Sequence, residues 1–171
     1  VQILRGNFPK AESLLREALA MLVPPALPPD HPEALRTLHN LGRAVGQGGR
    51  LDEAESILVD ALARRRGMLG PEHPDTIESM ASLGTLYFVS KQPARAEPLY
   101  RLALEGTRRV HGNDHLFVAD RLIDVALNSN ALGDSSPALP ALEEALAIRR
   151  RRLGPKHTRT VWIAENLAGL R

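Results

Sequence analysis

The 171-residue chain contains no cysteine, which excludes disulfides and thiolate metal sites and fits a cytoplasmic location. Aromatic residues make up only 4% of the chain, so its core must be aliphatic, built from Leu, Ala, Val and Ile. No run approaches the roughly 18 apolar residues that span a bilayer, and nothing at the start reads as a basic-then-apolar signal segment. No membrane partner is expected. Lysine occurs only at Lys10, Lys91 and Lys156, so the rest of the 22 cationic side chains are arginine. A GC-rich coding sequence accounts for that skew without any demand for bidentate contacts. The net charge is only +2 and the charges of both signs are evenly mixed.

What the chain does have is a period. Histidine recurs at His31, His73, His115 and His157, a fixed spacing of 42 residues. Whole segments travel with it: HPEALRTLHNLG, HPDTIESMASLG, HLFVADRLIDVA and HTRTVWIAENLA. Self-similarity at one period is the mark of a repeat architecture in which each repeat stacks on its neighbours. Each period splits into two amphipathic stretches. Leu35, Leu38, Leu41, Gly42 and Val45 lie at helical spacing, and after Gly48-Gly49 a second stripe runs through Leu51, Ala54, Ile57, Leu58, Ala61 and Leu62. The second stripe recurs as Ala96, Leu99, Tyr100, Ala103 and Leu104, then as Ala138, Leu142, Ala145 and Leu146. Small residues at Gly42, Gly84 and Ala126, and at Ala61, Ala103 and Ala145, predict close approach of neighbouring helix axes.

The punctuation agrees with this division. Gly49 and Gly133 sit where a turn between antiparallel helices wants a positive φ. Pro32 and Pro74 follow register histidines, and the first turn of a helix tolerates proline. Pro98 predicts that the early part of its helix is bent or loosely formed. Arginines at 64–66, 108–109 and 149–152 fall near helix C-termini, where cations complement the macrodipole. The first period is one residue out of step: AESLL at 11–15 matches AESIL at 54–58 with an offset of 43. The extra residue is placed in the stiff proline-rich connector at 23–29. The expected organisation is a partial repeat at 1–30, repeats at 31–72, 73–114 and 115–156, and the first helix of a further repeat at 157–171. Ends that open and close inside repeats suggest a piece of a longer array, and uncapped ends leave a homodimer open.

Leu38-His39-Asn40-Leu41-Gly42, the GRLDEAE run at 49–55, Ala61-Leu62 and the LGPEHP run at 69–74 carry a resemblance, as do Leu83-Gly84-Thr85-Leu86-Tyr87 and Ala96-Glu97-Pro98-Leu99-Tyr100. They resemble tetratricopeptide (TPR) repeats of the 42-residue variety found in kinesin light chains. The resemblance implies an all-α fold, a right-handed α-solenoid of antiparallel helix pairs forming a TPR superhelix. It also implies a non-catalytic module that binds a peptide, or another segment of its parent chain, in a concave groove lined by the first helix of each pair. Carried over position by position, the groove residues are Arg36, His39 and Arg43, then Glu78, Thr85, Phe88 and Val89, then Asp120, Ile123, Leu127 and Asn130, with Trp162 on the last helix. Phe88, Ile123 and Leu127 are the expected anchors, and Arg36 and Arg43 the orienting charges. The sequence departs from the subfamily where kinesin light chains carry a groove asparagine: that position holds His39, Ala81, Ile123 and Glu165. The fourth repeat is the most degenerate, with Asp124-Val125-Ala126 and Ser129 at signature positions.

Other chemistry finds little support. The register histidines lie a helix-pair width apart, about 10 Å or more, too far to share an ion whose ligands sit at about 2 Å; they are expected to start helices or pack between repeats. Gly46-Gln47-Gly48-Gly49-Arg50 lacks the Gly-Lys-Ser/Thr ending of a phosphate loop. No cofactor is expected and no catalytic constellation is recognisable. The alternative function is nucleic-acid binding, in which the arginine-rich helix ends align as a ridge against phosphates. Neighbouring acids and the lack of a repeated pair of base-reading residues disfavour it.

Overall fold

The computed structural model describes residues 8–22, 28 and 30–169. Among these the chain forms eight α-helices and no strand: α1 (Phe8–Leu22), α2 (Pro32–Gln47), α3 (Leu51–Leu69), α4 (Pro74–Val89), α5 (Pro93–His111), α6 (Leu116–Ala131), α7 (Ala138–Leu153) and α8 (Thr158–Gly169). The proline-rich connector at 23–29 lies, apart from Pro28, outside the described residues. The first helices α2, α4, α6 and α8 therefore start at one spacing, each immediately after a register histidine. Among the second helices, α7 starts three residues later than the period demands. There Ser135, Ser136 and Pro137 extend the turn, and Asp134 Oδ1 accepts from the Ser136 N–H at 3.0 Å.

The recurrent histidine is a helix cap. In all four copies the imidazole Nδ1 accepts the backbone N–H two residues on: Glu33 to His31 at 3.3 Å, Asp75 to His73 at 3.1 Å, Phe117 to His115 at 3.2 Å and Arg159 to His157 at 3.2 Å. The first N–H groups of a helix have no intrahelical acceptor, and a side-chain acceptor at the N-cap satisfies one of them. The turn after the first helix is equally regular. Gly49 and Gly133 adopt φ of 85° and 80°, and Lys91 takes the equivalent place with φ 59°, in the left-handed region that costs a side-chain-bearing residue about 1–2 kcal/mol. Pro98 does not loosen its helix: α5 runs unbroken from Pro93 to His111. The carbonyl deprived of its partner belongs to Ala94, an exposed residue in the first turn where water can serve it.

The chain divides into two units, one through Leu86 and the other from Tyr87. In the first unit α1 packs on α2 and α2 on α3; in the second, α5 packs on α6, α6 on α7 and α7 on α8. Both use the same device. Ala54, Ala96 and Ala138, and seven residues on Ala61, Ala103 and Ala145, are all wholly inaccessible to solvent. A methyl side chain at each contact lets the facing helix sit close. Gly42 takes this further: a Cβ built there would lie 2.8 Å from Leu58 Cγ, itself in the core. In the second unit Val118, Leu122, Leu142, Ile148 and Ile163 form an aliphatic cluster, and Tyr87 and Tyr100 are buried as well.

Two outcomes follow from these contacts. Gly42→Ala should destabilise the fold by about 1–3 kcal/mol through overpacking. His73→Ala should cost about 1 kcal/mol while His73→Asp retains the stability, since aspartate supplies both the acceptor and a negative charge at the helix N-terminus. Urea unfolding followed by far-ultraviolet circular dichroism measures both.

Candidate functional site

The first-helix residues that the sequence assigns to a groove divide by burial. In the first unit, Arg36 and Arg43 on α2 and Glu78 and Thr85 on α4 are exposed. Arg36 is held by Glu33 at 2.5 Å, one turn earlier on α2. Arg43 has no ion-pair partner among the described residues. In the second unit, Val89 and Trp162 are exposed at 55% and 42%, while Phe88, Asp120, Leu127 and Asn130 are half-buried. Two expected groove residues instead face inward. Ile123 is 7% exposed and belongs to the core between α6 and α7, and Leu127 packs against that core. His39 is 3% exposed. The apolar stripe of a first helix is wide enough that the fifth groove position falls on its margin; a branched aliphatic side chain there folds inward.

His39 lies within a hydrogen-bonded chain in the first unit. Arg65 Nη1 donates to Ser79 Oγ at 2.9 Å, Ser79 Oγ lies 3.2 Å from His39 Nδ1, and Ser82 Oγ lies 3.4 Å from His39 Nε2. Ser79 Oγ accepts from the guanidinium, so its single proton is free to point at Nδ1. That arrangement lets Nδ1 accept from Ser79 while Nε2 carries the proton toward Ser82. A neutral ring can satisfy both serine partners, one nitrogen accepting and the other donating. Burial, with the Arg65 and Arg43 charges adding to it, pushes the His39 pKa down to about 3.

Arg65 and Arg149 are residues that sequence reasoning missed. Both were grouped with solvent-facing arginines at helix ends, yet they are 2% and 7% exposed. The signal was present: Arg65 continues the stripe of Ala54, Leu58 and Ala61 at helical spacing, as Arg149 continues Ala138, Leu142 and Ala145. Each guanidinium ties its second helix to the start of the next first helix. Arg65 Nη1 donates to the Asp75 carbonyl at 2.9 Å and Arg149 Nη1 to the Arg159 carbonyl at 3.0 Å. Arg149 Nη2 also donates to Asp120 Oδ1 at 2.5 Å, so this expected groove carboxylate is occupied within the fold.

The other helix-end arginines are largely matched with acids. Arg64 pairs with Asp30 and Asp60, Arg108 with Glu144, and Arg151 and Arg152 with Asp114. The Arg151 hydrogen bond holds the Asp114 carboxyl below its usual pKa. Much of the arginine ridge expected to meet phosphates is thus neutralised within each unit. Among the described residues no group of three histidine or acidic side chains is placed to hold a metal, and no helix is long and apolar enough to cross a membrane.

Antiparallel helix pairs repeating every 42 residues, with exposed polar and apolar side chains on the first helix of each pair, define an α-solenoid of the interaction-scaffold class. The chain belongs to the tetratricopeptide repeat family, whose model matches residues 1–67, 36–108 and 80–151. Among solved structures it is similar to BtubC (BKLC) from P. vanneervenii, with a TM-score of 0.82 and 26% identity over 96% of this chain and 65% of that one. It is also similar to a Podosopora anserina putative kinesin light chain with nearly identical TPR-like repeats, with a TM-score of 0.81 and 25% identity over 95% of this chain and 77% of that one. Among curated proteins it is 30% identical over 157 residues to the clustered mitochondria protein homologs of Culex quinquefasciatus and Aedes aegypti. Those matches cover 91% of this chain, which spans only 11% of the length of either relative.

The buried groups generate two predictions. Unfolded, His39 binds a proton near its ordinary pKa of 6.5; folded, it does so only near 3. Between those values the unfolded state carries the extra proton, so acid favours unfolding, by up to about 1.4 kcal/mol per pH unit. Stability should fall as the pH drops from 6.5 toward 3, and His39→Asn should remove this component, read as the difference between the two proteins' urea midpoints across that range. Asp120→Asn should cost about 2–3 kcal/mol by leaving the buried Arg149 charge without its carboxylate, measured by urea unfolding at pH 7.

Proposed function

We propose that this chain is a non-catalytic, cytoplasmic protein-interaction module that binds a peptide, from a partner or from elsewhere in its parent protein, along its first helices. The observation that carries the reading is the set of first-helix side chains left outside the core: Arg36, Arg43, Glu78 and Thr85 on one unit, Val89 and Trp162 on the other. Membership of a family built for protein contacts supports it. In this reading the exposed Val89 and Trp162 supply apolar contact, joined by the half-buried Phe88 and Leu127. Asn130 adds a polar contact, while His39 in the first unit and Ile123 and Asp120 in the second hold their own helices in place. Repeats take the bounds 31–72, 73–114 and 115–156.

The test is affinity capture from source lysate after nuclease treatment, comparing the native chain with Val89→Glu and Trp162→Ala. Both residues are exposed, so both variants should fold normally; Ile123→Arg would instead bury a charge and report on stability. A captured protein should bind each variant at least tenfold more weakly, equivalent to about 1.4 kcal/mol. Capture that is equal for all three proteins would sink the assignment of this surface. Retention of nucleic acid, weakening steeply as salt rises, would move the case to the helix-end arginines.

A further inference from the structure

The turn after α6 repeats the turn after α4, with two side chains changed. After α4 the Gln92 N–H donates to the Tyr87 carbonyl at 2.8 Å; one period on, the Asp134 N–H donates to the Ser129 carbonyl at 3.1 Å. Ser129 therefore occupies the place of Tyr87. The Tyr87 ring is buried and covered by Arg95, whose Cζ lies 3.9 Å from the ring centroid and whose Nη2 donates to the hydroxyl oxygen at 2.7 Å. Arg95 belongs to the first turn of α5. Its counterpart one period on is Pro137, which stands in the extended turn just before α7. The later copy thus lacks both the ring and the cation above it.

A cavity of about 290 Å³ lies at this place, wholly within the second unit, and both Ser129 and Pro137 form part of its wall. That volume is at the small end for ligand pockets and suits a single ring with its substituents. Val125, Leu132 and Pro137 give it apolar sides. Asn128 holds the wall in place: its Nδ2 donates to the Pro93 carbonyl at 3.1 Å, which pins this end of α6 to the start of α5. The polar part of the lining comes from α5, where Arg101 and Glu97 pair at 2.6 Å and remain open to solvent. Apolar sides with a charged pair at one edge match a side chain that has an apolar body and a polar tip.

We propose that this cavity binds the side chain of a tyrosine presented by a partner protein, whose ring takes from outside the place that Tyr87 fills from within one period earlier. The Arg101 guanidinium covers the bound ring as Arg95 covers Tyr87, and the Glu97 carboxylate accepts from the hydroxyl. Val125, Leu132 and Pro137 supply the dispersion contacts that an unfilled space forfeits. The preceding repeat needs no such ligand because its own chain provides the ring. Neither Val89 nor Trp162 lines the cavity, so this contact is additional to peptide binding along the first helices and stands or falls separately from it.

The test is a titration of the isotopically labelled full chain with N-acetyl-tyrosinamide, followed through the backbone amide shifts of residues 97–101 and 125–136. Saturable shifts should appear there. N-acetyl-phenylalaninamide, which lacks the hydroxyl, should bind about threefold more weakly, and N-acetyl-leucinamide about tenfold more weakly. Ser129→Tyr fills the cavity from within; it should melt at a higher temperature than the native chain and bind the tyrosine amide about tenfold more weakly. Arg101→Ala changes an exposed side chain and keeps the fold; it should weaken binding about threefold, and it decides the matter if Ser129→Tyr does not fold. No saturable shift at these residues, equal binding of the leucine amide, or undiminished binding by either folded variant would overturn the inference. Binding of p-cresol without binding of N-acetyl-tyrosinamide would overturn it as well, since the site would then take a free phenol and not the side chain of a protein.

Discussion

Six alanines hold the architecture together. At Ala54, Ala96 and Ala138, and again at Ala61, Ala103 and Ala145, the second helix of a pair presents nothing larger than a methyl group to its neighbours. Helix axes pack at about 8–10 Å according to the side chains between them, and the smallest side chains give the low end. A repeat protein has no central core to absorb an error, because each pair is covered only by the pairs beside it. The same close contact must therefore be made every time the period comes round. The large aliphatic residues fill the space around it and could be exchanged for one another far more cheaply than any of these alanines could be enlarged.

Four residues beyond the second alanine, the same stripe carries a polar group in every copy: Arg65, Thr107 and Arg149. Each is buried, and each meets its hydrogen-bonding needs differently. Thr107 turns back on its own helix and donates to the Ala103 carbonyl at 2.7 Å. Arg149 reaches both a carbonyl and the Asp120 carboxylate. Arg65 reaches a carbonyl and a hydroxyl, and passes its influence through Ser79 to His39. Burying a guanidinium without a carboxylate is the least favourable of the three solutions.

The register histidines show how a conspicuous sequence feature acquires its meaning. Their spacing invites a metal, yet each serves a local purpose at its own helix, accepting a backbone N–H two residues away. His39, which follows no register, is the histidine with an unusual environment. Its ring is held neutral by neighbours from α3 and α4, and nothing adjacent to it in the chain would indicate that. A functional reading of histidine from spacing alone therefore weights the wrong residues.

The period, the helix pairs, the caps and turns, and the alanine contacts were all legible in the chain itself, because each depends on residues at most a few turns apart. A histidine or glycine at a helix end, or an alanine at every seventh position of a stripe, acts through local geometry that any copy of the sequence must adopt. Family membership followed from the same periodic features. What only the tertiary structure decided was the direction in which borderline side chains turn. Ile123 and His39 lie on the margin between the buried stripe and the open face, and packing against the next helix drew both inward. Arg65 and Arg149 sit at equivalent positions with equivalent neighbours along the helix, yet one found an aspartate and the other an arginine across the gap. That difference arises from residues 29 positions apart in the chain, brought together by stacking.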